Sequence, residues 1–220
     1  MKNVSRNIPR FWLLLAGVLV VTGCQTAYFS TMEKFGYHKR DILVSRVEDA
    51  RDAQTEAKDQ FKSALEQFSA VTGFKGGELE EKYELLNDEY ENSKSKAEQV
   101  SARIDAVEDV AEALFDEWEE ELEQYSNAGM RRSSSQQLEQ TRKKYQQMIK
   151  AMRKAESKIE PVLTAFHDQV LFLKHNLNAQ AIASLRQELS SVETDINALI
   201  KEMESSIREA DTFISSMANN

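Results

Sequence analysis

Hydrophobic residues recur along most of this chain at alternating steps of four and three, which is the spacing of a coiled-coil seam. The first such stretch predicts a helix from about Asp41 to Thr72, and the glycines that follow Thr72 predict a reversal of the chain. The predicted seam has one polar member, Gln54. Its positions are Leu43, Val47, Ala50, Gln54, Ala57, Phe61, Ala64, Phe68 and Val71.

A second stretch predicts a helix that begins near Leu79 and ends near Asn127 and Gly129. The basic, serine-rich segment 130–135 then reads as a loop, in which Ser133 or Ser134 would cap the next helix. Nearly all positions outside the seam are charged or polar, as a helix covered along one stripe requires. The seam is Leu79, Tyr83, Leu86, Tyr90, Ser93, Ala97, Val100, Ile104, Val107, Ala111, Leu114 and Trp118.

The third seam runs from Leu138 to Leu177 and crosses Pro161 without losing its register. A proline removes one backbone hydrogen bond, so we expect a kink here rather than a break. The fourth seam runs from Ile182 to Met217, with Ser206 as its polar gap. Segment 175–178 contains no glycine or proline that would signal a turn. We infer a turn there because the chain must fold back to form a bundle. The alternative is one uninterrupted helix through both seams.

These patterns predict an all-α protein, an elongated antiparallel coiled-coil bundle of three to four long helices. Seven glycines, two prolines and few aromatic residues are too few for a β-sandwich or a doubly wound sheet. The seven-residue period further predicts left-handed supercoiling.

The amino terminus has the pattern of a secretory signal. Lys2, Arg6 and Arg10 precede an apolar run over 11–21 that is too short to span a bilayer comfortably. The segment 21–24, Val-Thr-Gly-Cys, resembles the lipobox at which bacterial lipoproteins are cleaved and acylated. Cys24 is the only cysteine, and acylation accounts for an unpaired thiol in an oxidising compartment. A plain secreted protein and an uncleaved signal anchor are the alternatives.

The predicted organisation is therefore a signal peptide over residues 1–23, a juxtamembrane segment over 24–40 and a helical bundle over 41–220. In lipoproteins, the lack of Asp after the acylated cysteine resembles the pattern for export to the outer membrane, and Gln25 occupies that position here. We therefore expect the helical bundle to lie in the periplasm. The lipid is expected to sit in the outer membrane rather than in the inner one.

Two segments, 39–51 and 168–180, resemble a family of proteobacterial envelope proteins known only as a domain of unknown function. The resemblance extends over essentially all of the mature chain. It implies a helical envelope protein and brings no activity, ligand or catalytic residue with it.

Charge and residue types exclude several function classes. The formal charge of −9 becomes −12 once the three basic residues of the signal are removed. Because the mature chain is this acidic, it should repel the phosphate backbone of a nucleic acid. His38, His167 and His175 are too dispersed to form a zinc site, and the glutamates lie on solvated faces without the burial that acid–base catalysis requires. We expect no metal, no cofactor and no enzymatic activity.

The segment after residue 168 is the least regular part of the pattern, because four apolar residues stand in a row and cover more than one stripe of a helix. The segment is either buried at the end of the bundle, which we favour, or presents a second face to a partner. The candidate partner-binding residues are Val170, Leu171, Phe172, His175, Asn176 and Asn178.

The leading hypothesis for function is a lipid-anchored, noncatalytic envelope scaffold or protein-interaction module. It would contact the membrane through the lipid, and its helices would pair with another envelope protein or with a second copy. The alternative is a periplasmic binding module that holds an apolar or lipid ligand between helices, with Trp118, Phe166 and Phe172 lining the cavity.

Overall fold

The structure is a computed structural model that describes residues 38–73 and 79–218. All regular structure within these ranges is helical, which confirms the all-α prediction. The chain divides into two compact units, Met1–Ile42 and Leu43–Asn220, with the boundary inside the first helix. The helices are α1 (Lys39–Thr72), α2 (Leu79–Leu122), α3 (Ala128–Glu156), α4 (Ile159–His175) and α5 (Ala179–Ala218).

Polar contacts between side chains show that α1 and α2 run antiparallel. Lys96 of α2 lies 2.7 Å from Glu56 of α1, while the earlier α2 residue Glu89 accepts a hydrogen bond of 2.6 Å from the later α1 residue Gln60. Residue numbers therefore rise along one helix as they fall along the other. The two helices are therefore an antiparallel pair.

The same relation holds around the rest of the Leu43–Asn220 unit. Arg142 and the later Arg153 of α3 meet Glu119 and the earlier Asp105 of α2, at 2.7 Å and 2.6 Å. Gln147 and the later Lys154 of α3 meet Glu209 and the earlier Glu202 of α5, at 2.9 Å and 2.8 Å. Helix α4 continues beyond α3 and packs against both α2 and α5. The chain thus makes four antiparallel passes, and the third pass consists of α3 followed by α4.

The seams predicted from the sequence form the core of this unit. All nine seam residues of α1 are buried, including Gln54, and Phe61 and Phe68 are fully enclosed. Burial of one large apolar side chain stabilises the fold by roughly 1.5–3 kcal/mol, so these layers are the main source of stability. In α5 the buried positions are Ala181, Ile182, Leu185, Val192, Ile196, Leu199, Met203, Ser206, Ala210, Phe213 and Met217.

The predicted loop over 130–135 is wrong, because these residues belong to α3. Helix α2 ends at Leu122, and Asn127 caps α3 by accepting hydrogen bonds from the backbone N–H groups of Gly129 (2.8 Å) and Met130 (3.1 Å). Asparagine is among the strongest N-cap residues, so the helix begins ahead of the serines. Ser134 instead accepts a 2.9 Å hydrogen bond from the indole of Trp118.

Near Pro161 the structure shows a break where the sequence predicted a kink. Helix α3 ends at Glu156 and α4 begins at Ile159, although Ser157 keeps helical dihedral angles (φ −61°, ψ −15°) and donates its N–H to the carbonyl of Arg153. Pro161 has no N–H to donate to the carbonyl of Ser157, and its ring crowds that carbonyl. The helical hydrogen-bond pattern is therefore interrupted in the turn before the proline. The apolar register nevertheless continues across the break, as predicted.

A candidate interaction site at the end of helix α4

The four consecutive apolar residues of α4 divide between the core and the surface. Val170 and Leu173 are buried, whereas Leu171 and Phe172 are 44% and 41% exposed. Successive residues point about 100° apart around a helix of 3.6 residues per turn, so four in a row cannot all face one core. The favoured prediction that the whole segment is buried is therefore wrong, because Leu171 and Phe172 are exposed; that this face meets a partner stays a prediction.

The predicted turn at 175–178 is confirmed. Asn176 donates its side-chain amide to the carbonyl of Phe172 at 2.9 Å and its backbone N–H to the carbonyl of Leu173 at 3.1 Å, which closes the end of α4. Asn178 accepts hydrogen bonds from the backbone N–H groups of Gln180 and Ala181, both at 3.0 Å, and so caps α5. Both asparagines serve the turn itself.

The remaining residues of this region leave an apolar surface close to two basic side chains. Leu177, in the turn, is 42% exposed and belongs to no helix, whereas the sequence pattern predicts it as the last residue of the third seam. We call Leu171, Phe172 and Leu177 the α4-end surface. Lys174 and His175 stand in the last turn of α4, where a cation is favoured by the helix dipole. Exposed apolar residues bordered by polar groups are typical of protein-binding sites.

Contacts of α1 locate the α4-end surface within its unit. Arg51, early in α1, pairs with Asp211, late in α5, at 3.2 Å. Thr72, the last residue of α1, accepts hydrogen bonds through its carbonyl from Arg186, early in α5. The α4–α5 turn therefore lies toward the end of the unit where α1 finishes, opposite the end where the chain enters at Leu43.

Aromatic residues pack tightly behind this surface. Phe166 is buried and meets the rings of Phe68 and Tyr90 edge to face, with centroids 6.3 Å and 6.2 Å away. The ring of His167 lies over Tyr90 with a centroid distance of 4.9 Å. These contacts give Phe166 and His167 packing roles.

The three aromatic residues proposed to line a ligand cavity are not brought together. Trp118 lies between α2 and α3, Phe166 is enclosed in the core and Phe172 is on the surface. A separate groove of about 270 Å³ lies between α2 and the junction of α3 with α4. Its lining mixes apolar side chains with three glutamates and one lysine, and it includes none of the three aromatic residues. Its lining is Lys94, Ala97, Glu98, Ser101, Glu156, Ile159, Glu160 and Leu163.

Charge is distributed unevenly between neighbouring helices. Between Arg103 and the end of α2 every ionisable side chain is acidic, while α3 carries only two acidic residues, Glu139 and Glu156. Arg153 links the two helices, since its guanidinium donates to Glu108 and Asp105 of α2 and to Glu156 of its own helix. The hydrogen bond to Glu108 is the main reason that the pKa of Arg153 is raised.

The interface of α2 and α3 also holds a tyrosine whose pKa is shifted. Burial, with a smaller contribution from the charge of Glu108, raises the pKa of the Tyr145 phenol to about 12. Its ring meets Phe115 at a centroid distance of 5.4 Å, in the interface of α2 and α3. Over residues 38–73 and 79–218, no group of three or more His, Cys, Asp or Glu side chains is placed to hold a metal ion.

Several predictions fall outside the described residues. Cys24, Gln25, the signal peptide and almost all of the juxtamembrane segment belong to residues 1–37. The reversal after Thr72 is described only at Gly73, whose N–H donates to the carbonyl of Ser69 at 3.2 Å. Among the helices that the structure describes, none has the length and apolar character needed to cross a membrane.

Comparison with known proteins gives one family. The family model described as "Protein of unknown function (DUF2959)" matches residues 28–217, which is most of the chain. No curated protein matches the sequence.

Proposed function

We propose that this chain, which belongs to the DUF2959 family, is a noncatalytic scaffold or protein-interaction module that a lipid on Cys24 anchors in the bacterial envelope. The exposure of Leu171 and Phe172 carries the interaction part of this proposal. The lipobox-like residues Val21 to Cys24 carry the anchoring part.

The α4-end surface supports a partner-binding role because its exposure has an energetic cost. A solvent-exposed leucine or phenylalanine forgoes roughly 1.5–3 kcal/mol of burial free energy that a core position would provide. Helix α4 already supplies the core with Val170 and Leu173, so Leu171 and Phe172 are not needed there. Burial against another protein would recover part of that free energy.

The position of the surface also fits an anchored protein. A lipid on Cys24 would attach the chain ahead of Leu43, whereas the α4-end surface lies toward the opposite end of the Leu43–Asn220 unit. A lipid tether that precedes the bundle in the chain and an exposed apolar surface on the bundle are the two parts of an adaptor. Gln25 favours the outer membrane as the site of attachment.

Photoreactive residues introduced at Leu171 and Phe172 test the interaction in cells. We expect both to capture the same envelope protein, identified by mass spectrometry of the crosslinked band. Gln146, an exposed residue of α3, is a matched control position that should not capture that protein. Crosslinks confined to this chain itself would contradict a separate partner, and capture of a second copy would identify self-association as the interaction.

A second measurement separates the scaffold from the ligand-binding alternative. The variant Leu171→Ser/Phe172→Ser should no longer copurify with the protein identified by crosslinking, while its thermal unfolding midpoint stays near that of the wild type because both residues are on the surface. Lipid extracted from purified protein should be limited to the covalent anchor. A stoichiometric noncovalent lipid would instead favour the binding module.

Anchoring is tested by the substitution Cys24→Ala. The wild-type protein should sediment with membranes and yield an amino-terminal peptide that carries acyl chains on cysteine. The variant should lack that modification. An unmodified Cys24 in the wild type would refute lipid attachment while leaving the crosslinking result intact.

A further inference from the structure

Two buried polar side chains in the core have no hydrogen-bond partner within the protein. Gln54 of α1 and Ser206 of α5 are both completely buried. Neither the amide oxygen and nitrogen of Gln54 nor the hydroxyl of Ser206 lies within hydrogen-bonding reach of another protein group. Buried polar groups are almost always hydrogen-bonded, so three such atoms in one core require a partner.

The contacts between α1 and α5 place these two residues at the same level of the bundle. Arg51 meets Asp211 on one side of this level, and Thr72 meets Arg186 on the other. Interpolation between the two pairs along antiparallel helices sets Gln54 opposite Ser206 to within one helical turn. Both residues occupy seam positions, so both side chains are directed into the core.

The neighbouring seam residues are small. Ala50 and Ala57 lie on either side of Gln54 along α1, and Ala210 is the next seam residue after Ser206 in α5; all three are fully buried. Larger side chains fill the α1 core on either side of this stretch, at Leu43 and at Phe61 and Phe68. The polar layer therefore lies in the stretch of α1 whose other seam residues are alanines.

We propose that Gln54 and Ser206 together bind ordered water inside the bundle and form a hydrated polar layer between α1 and α5. An amide that both donates and accepts, facing a hydroxyl that does the same, supplies the two to four polar partners that an internal water molecule needs. The ligand class is water because the neighbouring seam residues Ala50, Ala57 and Ala210 are apolar and offer no charge to an ion.

The layer also fixes how α1 pairs with α5. A displacement of one heptad would bring Gln54 level with Leu199 or Phe213, both buried and apolar, and would leave its amide without Ser206. A single polar residue at a seam position is known to specify register in coiled coils in this way. The hydrated layer therefore favours the observed register over its nearest competitors.

Oxygen-17 relaxation dispersion of water, which reports long-lived internal molecules, tests the proposal on the folded protein. The variant Gln54→Met/Ser206→Ala should lose part of the dispersion amplitude, and its thermal unfolding midpoint should rise by a few degrees, because buried polar groups are replaced by apolar ones of similar size. A high-resolution crystal structure should show water within about 3 Å of both the Gln54 amide and the Ser206 hydroxyl.

Ser93→Ala is the matched control. Ser93 is as completely buried as Ser206, but its hydroxyl donates to the carbonyl of Glu89 at 2.7 Å, so its removal should leave the dispersion amplitude unchanged. An amplitude that is equal in the wild type and the double variant would overturn the proposal. A crystal structure in which the Gln54 amide bonds directly to protein groups would do so as well. If the double variant fails to fold, Ser206→Ala alone, which removes one water partner, should reduce the amplitude.

Discussion

Arg186 closes the carboxyl-terminal end of α1 from a different helix. Its Nε and Nη2 atoms donate to the carbonyl oxygen of Thr72 at 3.1 Å and 2.6 Å. The last carbonyls of a helix have no partner within it, and a cation is favoured there by the helix dipole. Helix α1 ends without a basic residue in its own last turn, so α5 supplies this charge.

Arg186→Ala should lower the free energy of unfolding by about 1 kcal/mol, because a charged donor is lost from a carbonyl in the folded state. Chemical denaturation, monitored by circular dichroism, measures the change. Arg186→Lys is the control: it keeps the positive charge but loses the fork that donates twice to one oxygen, so it should be intermediate between the wild type and the alanine variant. Equal stability of all three proteins would show that the contact contributes nothing.

Arg153 is expected to be coupled energetically to Glu108. The guanidinium joins carboxylates of α2 and α3, but its side chain is 34% exposed, so solvent screens much of the attraction. We expect Arg153→Gln to cost about 1 kcal/mol and a double-mutant cycle with Glu108→Gln to give a coupling of roughly 0.5 kcal/mol.

Salt and pH should affect this coupling differently. The coupling should shrink at high salt, because the pair is partly exposed. The pKa of Arg153 is raised above its already high ordinary value, so the guanidinium stays charged and its contribution should be constant from pH 6 to 9. A coupling that is insensitive to salt would show that packing of the arginine stem, rather than charge, holds the helices together.

Tyr145 should make the protein lose stability at alkaline pH. Its pKa is about 12 in the folded protein and 10.0 when unperturbed, so the unfolded chain releases this proton first. Stability therefore falls as pH rises between about 10 and 12, by up to about 1.4 kcal/mol per pH unit from this group. Tyr145→Phe keeps the ring against Phe115 and should reduce that slope.

Urea denaturation at pH 8 and pH 11 gives the slope for each protein. Tyr125→Phe removes a hydroxyl from an exposed tyrosine and serves as the control, which should retain the steeper wild-type loss. If Tyr145→Phe and the wild type lose equal stability between the two pH values, burial of the Tyr145 phenol does not govern the alkaline response.

Much of the fold could be predicted because the seams depend on local spacing. Every α1 seam residue from Leu43 to Val71 is buried, and the register survives even the break near Pro161. The start of α3 was misplaced because two capping signals competed, and Asn127 lies closer to the end of α2 than the serines do. Nothing in the spacing distinguishes between two N-cap residues of similar strength that stand a few residues apart.

The candidate site was predicted less fully, for a physical reason. Of four consecutive apolar residues on a helix, some must face away from the core. Which of them do so depends on how α4 is rotated about its axis against α2 and α5, and the sequence does not show that rotation. The lack of a protein hydrogen-bond partner for Gln54 and Ser206 was likewise hidden, since the sequence shows two polar gaps in two seams but not which groups surround them. Arg153 was missed because its partners come from α2, far away in sequence.

Asn178→Ala should distinguish the structural role of the α4–α5 turn from the partner-binding role of its neighbours. Loss of an N-cap typically costs about 1 kcal/mol, and Asn178 supplies both side-chain hydrogen bonds to the first turn of α5. Asn178→Asp keeps an acceptor at the positive end of the helix and should remain close to wild-type stability. If Asn178 only caps α5, crosslinking from Leu171 should capture the same partner in Asn178→Asp as in the wild type. A stable Asn178→Asp variant that no longer captures the partner would instead place Asn178 in the binding surface itself.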